Sequence, residues 1–414
     1  MTPRTRTILG VGSAVVLIAA ALWARYIQTV TSPLQILSRF NPRNAPSADL
    51  TPAEPAELVT QTLNVPDQYR RGVFAVARTL ELPSDLTISV FASGLQKARF
   101  MAFSPTGVLY VTDLQAGKVY AFPDADANGI ADSLMVVADG LDNPHGIAFD
   151  GSDLYVAETE RVHRYRDGDN DLKADEDTII IPNLPKGGVH VTRTILIGPD
   201  GKLSVSSGSS CNACDDDPRR AAVLRFNKDG SGEERFAWGL RNSVGMVVRP
   251  GTGEIWATDN GRDLLGDDIP PDEINVLSGG NDYGWPDCYG GRIADTTRKN
   301  SERCSGTIGS RIDLQAHSAP LGLRFVPQDG PFAAAYGGDL LVAFHGSWNR
   351  REPTGYKVIR ATVDGGTSVV ADFIRGWLVS GKAWGRPVDV LFGPDGALYV
   401  SDDEAGAIYR VTSS

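Results

Sequence analysis

One phrase recurs six times, and it decides what the chain can fold into. The copies are FSPTGVLYVTD ending at Asp113, FDGSDLYVAE at Glu158, IGPDGKLSVSS at Ser207, RPGTGEIWATD at Asp259, YGGDLLVAFH at His345 and FGPDGALYVSD at Asp402. Each is a short apolar strand, a Gly/Asp turn and a second apolar strand. Leu109, Leu154, Leu203, Ile255, Leu340 and Leu398 mark equivalent positions, 45, 49, 52, 85 and 58 residues apart. Hairpins repeated at this period bury their faces by stacking as blades around an axis. The pattern predicts an all-β fold, a six-bladed β-propeller.

Most copies carry a third strand: KVYAF, RVHRYR, AVLRF, EINVL, YKVIRA and AIYRV. A fourth follows in several, as in SLMVVADGL and TIIIPNL. The chain ends at the third strand of the sixth copy. The segment Leu86 to Leu95, ahead of the first copy, is expected to supply the missing strand and close the ring, leaving no open edge. The propeller then spans residues 84–414.

Residues 29–83 are rich in Pro, Thr, Ala and Asn without a period and read as a linker. Residues 1–28 carry Arg4 and Arg6 ahead of an apolar run from Ile8 to Ala24. Such a run rises roughly 25 Å, slightly short of a ~30 Å hydrocarbon core. It reads as a signal peptide or a signal anchor. An uncleaved anchor is expected, because the small residues Ala19-Ala20-Ala21 lie inside the apolar run. Either way the rest of the chain is expected in a periplasm, tethered to the inner membrane. In that oxidising compartment the four cysteines read as Cys211–Cys214 and Cys288–Cys304 disulfides, with a zinc site as the alternative. Cys211-Asn-Ala-Cys214-Asp lacks the His of a haem-attachment motif. A net charge of −11 excludes a broad nucleic-acid surface, which needs a basic face.

In a propeller the residues before each innermost strand face one end of the axis. The six approaches read KARFMAF, NPHGIAF, VHVTRTILI, LRNSVGMVV, HSAPLGLRF and GRPVDVLF. They supply Lys97 or Arg99, His145, His190 with Arg193, Arg241 with Asn242, His317, and Arg386. An acidic protein has gathered cations around one axis. Converging like charges are costly unless something anionic sits among them, so the sequence predicts an anionic ligand there. The insertion over about 260–336 adds Tyr283, Trp285 and Tyr289, aromatic walls that suit a planar ligand or a sugar.

Two acidic loops stand apart from the axis. DADANGIAD offers Asp124, Asp126, Asn128 and Asp132, and DGDNDLKADED offers Asp167, Asp169, Asp171 and Asp175. The spacing matches the first part of a calcium loop. Neither has the closing Glu, and Leu172 stands where Gly is wanted, so an acidic solvated turn is the competing reading.

At the axial residues the chain resembles the glucose/sorbosone dehydrogenase family, six-bladed propellers that use pyrroloquinoline quinone (PQQ) and calcium. The likeness covers about residues 84–414. It rests on HVTRTILIGPDGKL, WGLRNSVGM and, most specifically, DEINVLSGGNDYGWP; HGSWNRREPTGYKV and GRPVDVLFGPDGALYVSDD look most like the sorbosone branch. The resemblance implies His190 as general base, taking a hydroxyl proton as hydride passes to the quinone. It implies Arg241 and Asn242 at the quinone carbonyl and substrate edge. Arg386 would pair with PQQ carboxylates, and Arg350 or Arg351 would replace the Lys of the glucose branch. Main-chain oxygens near Gly261 and Arg262 would bind the catalytic calcium, and Asp272 with Glu273 a structural one. Two departures put glucose itself in doubt: Ser243-Val244-Gly245 replaces Pro-Gln-Gly, and the segment NGRDLLGDDIPPDEIN is long.

The expected function is PQQ- and calcium-dependent oxidation of an aldose or sugar aldehyde, with electrons leaving to a periplasmic cytochrome or quinone. The alternatives are a non-enzymatic binding propeller and a calcium-dependent lactonase. The lactonase would need carboxylates and amides around an axial metal, against which the basic approaches speak.

Overall fold

The computed structural model describes residues 57–364 and 367–413, and in it each sequence repeat is the first hairpin of a blade. Blade 1 runs outward as Ala98–Phe103, Leu109–Asp113, Lys118–Phe122 and Met135–Ala138. Blade 2 is Ile147–Asp150, Asp153–Ala157, Val162–Arg166 and Glu176–Ile181. Blade 3 is Ile195–Ile197, Leu203–Ser207, Ala222–Phe226 and Glu234–Trp238, with Asn281–Asp282 added in parallel at its outer edge. Blade 4 is Met246–Val248, Ile255–Asp259, Asp272–Leu277 and Ile312–Leu314. Blade 5 is Pro320–Phe325, Leu340–Phe344, Lys357–Asp364 and Thr367–Ile374. Blade 6 is Pro387–Phe392, Leu398–Asp402, Ala407–Ser413 and, from the other end of the domain, Leu86–Ser93. Ile88 lies opposite Val411, so the ring closes by pairing as expected.

The second strands show why the pattern was so legible. LYVTD, LSVSS, IWATD, LLVAF and LYVSD are each buried at all their positions. A strand covered on both faces by neighbouring blades reads as a continuous run of apolar and small residues rather than an alternation. Near the axis adjacent backbones nearly touch. A Cβ on Gly146 would lie 2.6 Å from the Ile195 nitrogen of blade 3, and one on Gly245 2.1 Å from the Leu321 oxygen of blade 5. Only glycine admits that approach.

The carboxylates that end several repeats hold the approaches to the inner strands. Asp113 accepts from the amides of Gln96 and Lys97, Asp259 from those of Arg241 and Asn242, and Asp402 from that of Arg386. The repeat's terminal acid therefore shapes the same loops that carry the candidate ligand residues.

The linker expected over 29–83 is corrected in its second half. Leu58–Thr62 and Thr79–Pro83 form an antiparallel hairpin. Leu63, Tyr69, Phe74, Leu80 and Leu82 are buried in the same cluster as Trp377, Trp384 and Tyr409. Its composition resembles a tether, but its few apolar residues cover the outside of the closing blade. The leader and the first part of the linker lie outside the described residues, and among the described residues no helix is long and apolar enough to cross a membrane. The two disulfides form as paired in the sequence reading, Cys211–Cys214 and Cys288–Cys304.

Candidate active site

The approaches to the inner strands converge, but only part of them faces open space. A cavity of ≈ 180 Å³, open to solvent, is lined by His190, Arg241, Asn242, Asp272 and His317, with Trp348 on its wall. His190 comes from the loop before blade 3. Its Nδ1 lies 3.0 Å from both the main-chain oxygen and the hydroxyl of Ser209. The Ser209 hydroxyl donates onward to the Cys211 oxygen at 2.7 Å, so it accepts from the ring. Nδ1 carries the proton, and Nε2 is left as an unprotonated lone pair. Burial, then the Arg241 charge, pushes the imidazole down to about 3. His190 is a neutral imidazole at any ordinary pH.

Arg241 reaches the same cavity with nothing to spare. Its Nε donates to the Asn212 oxygen, Nη1 to the oxygens of Asn260 and Gly261, and Nη2 to Asn212 Oδ1 and Asp263 Oδ2. Every N–H of the guanidinium is engaged, so the role implied for it at a quinone carbonyl requires giving up one of these bonds. His317 likewise turns Nε2 to the oxygens of Gly266 and Ile269, at 2.9 and 3.1 Å. It walls the cavity and braces the 266–269 loop.

Asp272 and Glu273 do not share a site through their side chains. They are successive residues of one strand and point to opposite faces. Asp272 lines the open cavity, where its oxygens accept from the amides of Gly261 and Ala319, and burial raises it to about 7. Glu273 lines a small enclosed pocket with Asp259, Asp295 and Arg262. In the sheet register Glu273 lies directly opposite Asp259 on one side and Asp313 on the other. Burial, and for Asp259 the neighbouring Glu273, raises all of them. This row was missed in the sequence because only strand register brings it together. Arg262 spends its side chain on Asp295 at 2.6 Å, leaving only its main-chain oxygen for a metal.

Several expected ligand residues are elsewhere. Arg193 is fully buried and donates to the oxygens of His190, Thr192 and Pro185, a brace for the His190 loop. Arg99 and His145 are buried in a bonded chain: Thr194 to His145, His145 to Arg99, Arg99 to Asp403, and Asp403 to His345. Burial, then Arg99, holds His145 far below the usual imidazole range. Arg350 and Arg351 turn to Asp268 and Asp267. Arg386 donates from Nε and Nη2 to the oxygens of His345 and Gly346 and stacks over Tyr356. The converging cations therefore do not by themselves require an anionic ligand. The chain supplies its own anions in Asp263, Asp267, Asp268 and Asp403, drawn from loops that the repeat does not align.

Other groups on the wall carry unmet capacity. Asn260 donates Nδ2 to the Asn242 oxygen, and Asn349 donates Nδ2 to Asp263 Oδ1, so each amide is fixed in orientation. The Oδ1 atoms of both are buried without a hydrogen-bond partner among the described residues. Trp348, beside Asn349, is 73% exposed on the cavity wall. Trp285 is buried and donates to the Asn212 oxygen. Asn212, unremarked in the sequence reading, is visible there only as a polar residue inside the Cys211–Cys214 turn.

The two acidic loops are built alike. The Asn128 amide reaches Asp124 and Asp126, the Gly129 amide reaches Asp124, and the Ala125 amide reaches Asp132. The Asp171, Leu172 and Gly168 amides repeat those bonds on Asp167, Asp169 and Asp175. Leu172 takes the left-handed φ of +68° where Gly129 has +80°. Carboxylate oxygens of Asp167, Asp169 and Asp175 lie within 4.8 Å of one another. Asp171 instead pairs with Lys173.

A family model described as TrAA12-like matches residues 80–292 and 292–414. An uncharacterised protein of Borreliella burgdorferi is 32% identical over 373 residues, covering 86% of this chain and 92% of the relative. A pyrroloquinoline quinone-dependent sugar dehydrogenase of Hypocrea jecorina is 26% identical over 318 residues, covering 62% of this chain and 71% of the relative. The calcium structure of a Trichoderma reesei enzyme of Carbohydrate-Active Enzymes Family AA12 superposes with a TM-score of 0.67 at 24% identity, covering 80% of this chain and 96% of that one. That likeness shows the fold.

Proposed function

Since the chain belongs to the TrAA12-like family, we propose that it is a PQQ-dependent oxidoreductase that oxidises a sugar hydroxyl in the axial cavity. The observation that carries the reading is the state of His190. It is a neutral imidazole with its proton fixed on Nδ1 and a lone pair at Nε2 on the wall of an open cavity. That is the form a general base needs.

The donor set fits a hard cation beside a polar cofactor. Asp272, the Gly261 oxygen and the orphaned Oδ1 atoms of Asn260 and Asn349 are hard oxygens of the kind calcium takes. PQQ, when bound, supplies an electrophilic quinone carbon that accepts hydride. His190 would take the substrate hydroxyl proton at Nε2, Ser209 would hold the ring in register, and Asn242 would orient the ligand edge. Calcium in the acidic loops would join neighbouring strands and take no part in the chemistry.

Reconstitution tests this. The metal-free protein with PQQ and Ca²⁺ is expected to gain a quinone absorbance and to reduce a dye with at least one member of an aldose and sugar-aldehyde panel. Absence of saturable PQQ binding ends the reading. A second reading, calcium-dependent lactone hydrolysis, is favoured by the amides and carboxylates Asn242, Asn260, Asn349, Asp263 and Asp272 around one cavity. Hydrolysis of a sugar lactone with Ca²⁺ and no PQQ would select it. Export to a periplasm, with a membrane tether at the N-terminus and a cytochrome or quinone as electron acceptor, completes the proposal. Two disulfides support the oxidising compartment.

A further inference from the structure

The turn Cys211 to Cys214 touches the residues that hold two walls of the cavity in place, His190, the proposed general base, and Arg241. On one side, the Cys211 oxygen accepts from the Ser209 hydroxyl at 2.7 Å, and that hydroxyl and the Ser209 oxygen fix Nδ1 of His190. On the other, Asn212 accepts from Arg241 with two different oxygens, at 3.1 and 2.9 Å. The same Asn212 takes the Asp263 amide on Oδ1 and donates Nδ2 to the Asp263 oxygen, at 2.8 and 3.0 Å. Its main-chain oxygen also accepts from Trp285 Nε1 at 3.2 Å. One residue therefore joins the blade 3 loop, the approach to blade 4 and the insertion that carries Trp285. A polar residue with this many fixed partners needs a rigid backbone. The disulfide, closing a loop with a sequence separation of only 3, supplies it.

We propose that the disulfide-closed turn Cys211–Cys214 is the positioning element of the site, aligning His190 through Ser209 and Arg241 through Asn212. The proposal rests on the oxidoreductase reading for what His190 does, and on geometry alone for how His190 and Arg241 are held. Without the turn, Ser209 loses the acceptor that orients its hydroxyl, and the His190 ring is free to exchange tautomers. Arg241 loses two of its partners, so its guanidinium is no longer held against Asn260 and Gly261.

The experiment compares wild type, Cys211→Ser/Cys214→Ser, Asn212→Ala and Asn212→Asp, all with the Cys288–Cys304 bridge intact. Nitrogen-15 NMR of labelled histidine reads the His190 tautomer in the absence of cofactor, and dye reduction at saturating PQQ and Ca²⁺ reads turnover. Wild type is expected to show the Nδ1–H form. The double serine variant is expected to show a tautomer mixture and a kcat lowered about tenfold or more. Asn212→Ala is expected to lower kcat with the Nδ1–H form retained, and Asn212→Asp, which keeps the Oδ1 acceptor, to recover part of it. A purely structural bridge would lower Tm and leave both tautomer and kcat unchanged, and that result overturns the proposal. If the double serine variant does not fold, Asn212→Ala at wild-type kcat overturns it equally. If wild type binds no PQQ, the oxidoreductase reading falls while the tautomer measurement still decides whether the turn positions His190.

Discussion

Arg99 and Asp403 stand 304 positions apart in sequence and form an ion pair at 2.7 Å, joining the first blade to the sixth on the inside of the ring. Both side chains are almost wholly buried, 9% and 5% exposed. Asp403 holds His345 with its other oxygen at 2.8 Å. Burial opposes ionisation of Asp403, but His345 and Arg99 outweigh it and keep the carboxyl far below its usual range. Asp403→Ala leaves the Arg99 charge buried and uncompensated. It is expected to cost about 3–5 kcal/mol, read as a lower urea midpoint. A midpoint within error of wild type would show that the pair adds nothing to closure.

The His190 environment predicts an unusual pH profile. An ordinary histidine loses its base function as pH falls through about 6.5, whereas His190 is pushed down to about 3 by burial and then Arg241. Dye-linked kcat/KM is therefore expected to stay level through pH 6.5 without a histidine limb. The same depression acts on stability. Below about 6.5 the unfolded chain takes up a proton that the folded one refuses, so this contribution is complete above that pH and is lost as pH falls toward 3. His190→Gln is expected to remove turnover, retain PQQ binding within a few fold, and flatten that part of the acid unfolding curve.

The hairpin of residues 58–83 belongs to the propeller. Phe74 is 4% exposed and meets Trp384 and Tyr409 edge-on, each with ring centroids 6.4 Å apart. Phe74→Ala is expected to destabilise the domain by about 3–5 kcal/mol, measured by thermal or urea unfolding. An effect below about 1 kcal/mol, the range of surface changes, would return this segment to the status of a tether.

Metal removal separates the acidic loops from the axis. Addition of Ca²⁺ to chelator-treated protein is expected to raise Tm in proportion to log concentration. Replacing Asp167, Asp169 and Asp175 together with Asn should remove part of that increment and leave turnover at saturating PQQ and Ca²⁺ unchanged. A Tm response identical to that of wild type would identify the loop as a solvated turn.

The Cys288–Cys304 bridge spans a sequence separation of 16, for which loop-closure entropy gives about 3 kcal/mol. Cys288→Ser/Cys304→Ser is expected to lower stability by about 2–4 kcal/mol in denaturant titration, with the propeller retained.

Much of the fold is legible because its signals are local. The Gly/Asp turns set the hairpins, the second strands are mostly apolar or small up to the acid that ends several of them, and the strand left over at Leu86–Ser93 has one vacant edge to fill. His190 is legible as an out-of-place polar residue before such a strand. The partners of the cations are not legible in the same way. Arg99 and Arg350 find carboxylates on segments far away in sequence, while Arg193 turns back onto carbonyls of its own loop, and no periodicity reports either kind of partner. Likewise the composition of residues 58–83 conceals how few apolar side chains are needed to cover one blade face.

By itself, then, the sequence determined six blades, their order, the pairing that closes them and the histidine at the cavity, while it left the four cysteines open between two disulfides and a zinc site, which the structure resolves as disulfides. These follow from spacing and side-chain period, which the chain carries locally. Tertiary structure alone decided which cations face the cavity, that Asp272 and Glu273 serve different spaces, and that Asn212 links Arg241 to the insertion. Those outcomes depend on which groups meet across the axis, where burial makes each charge take the nearest compensating partner.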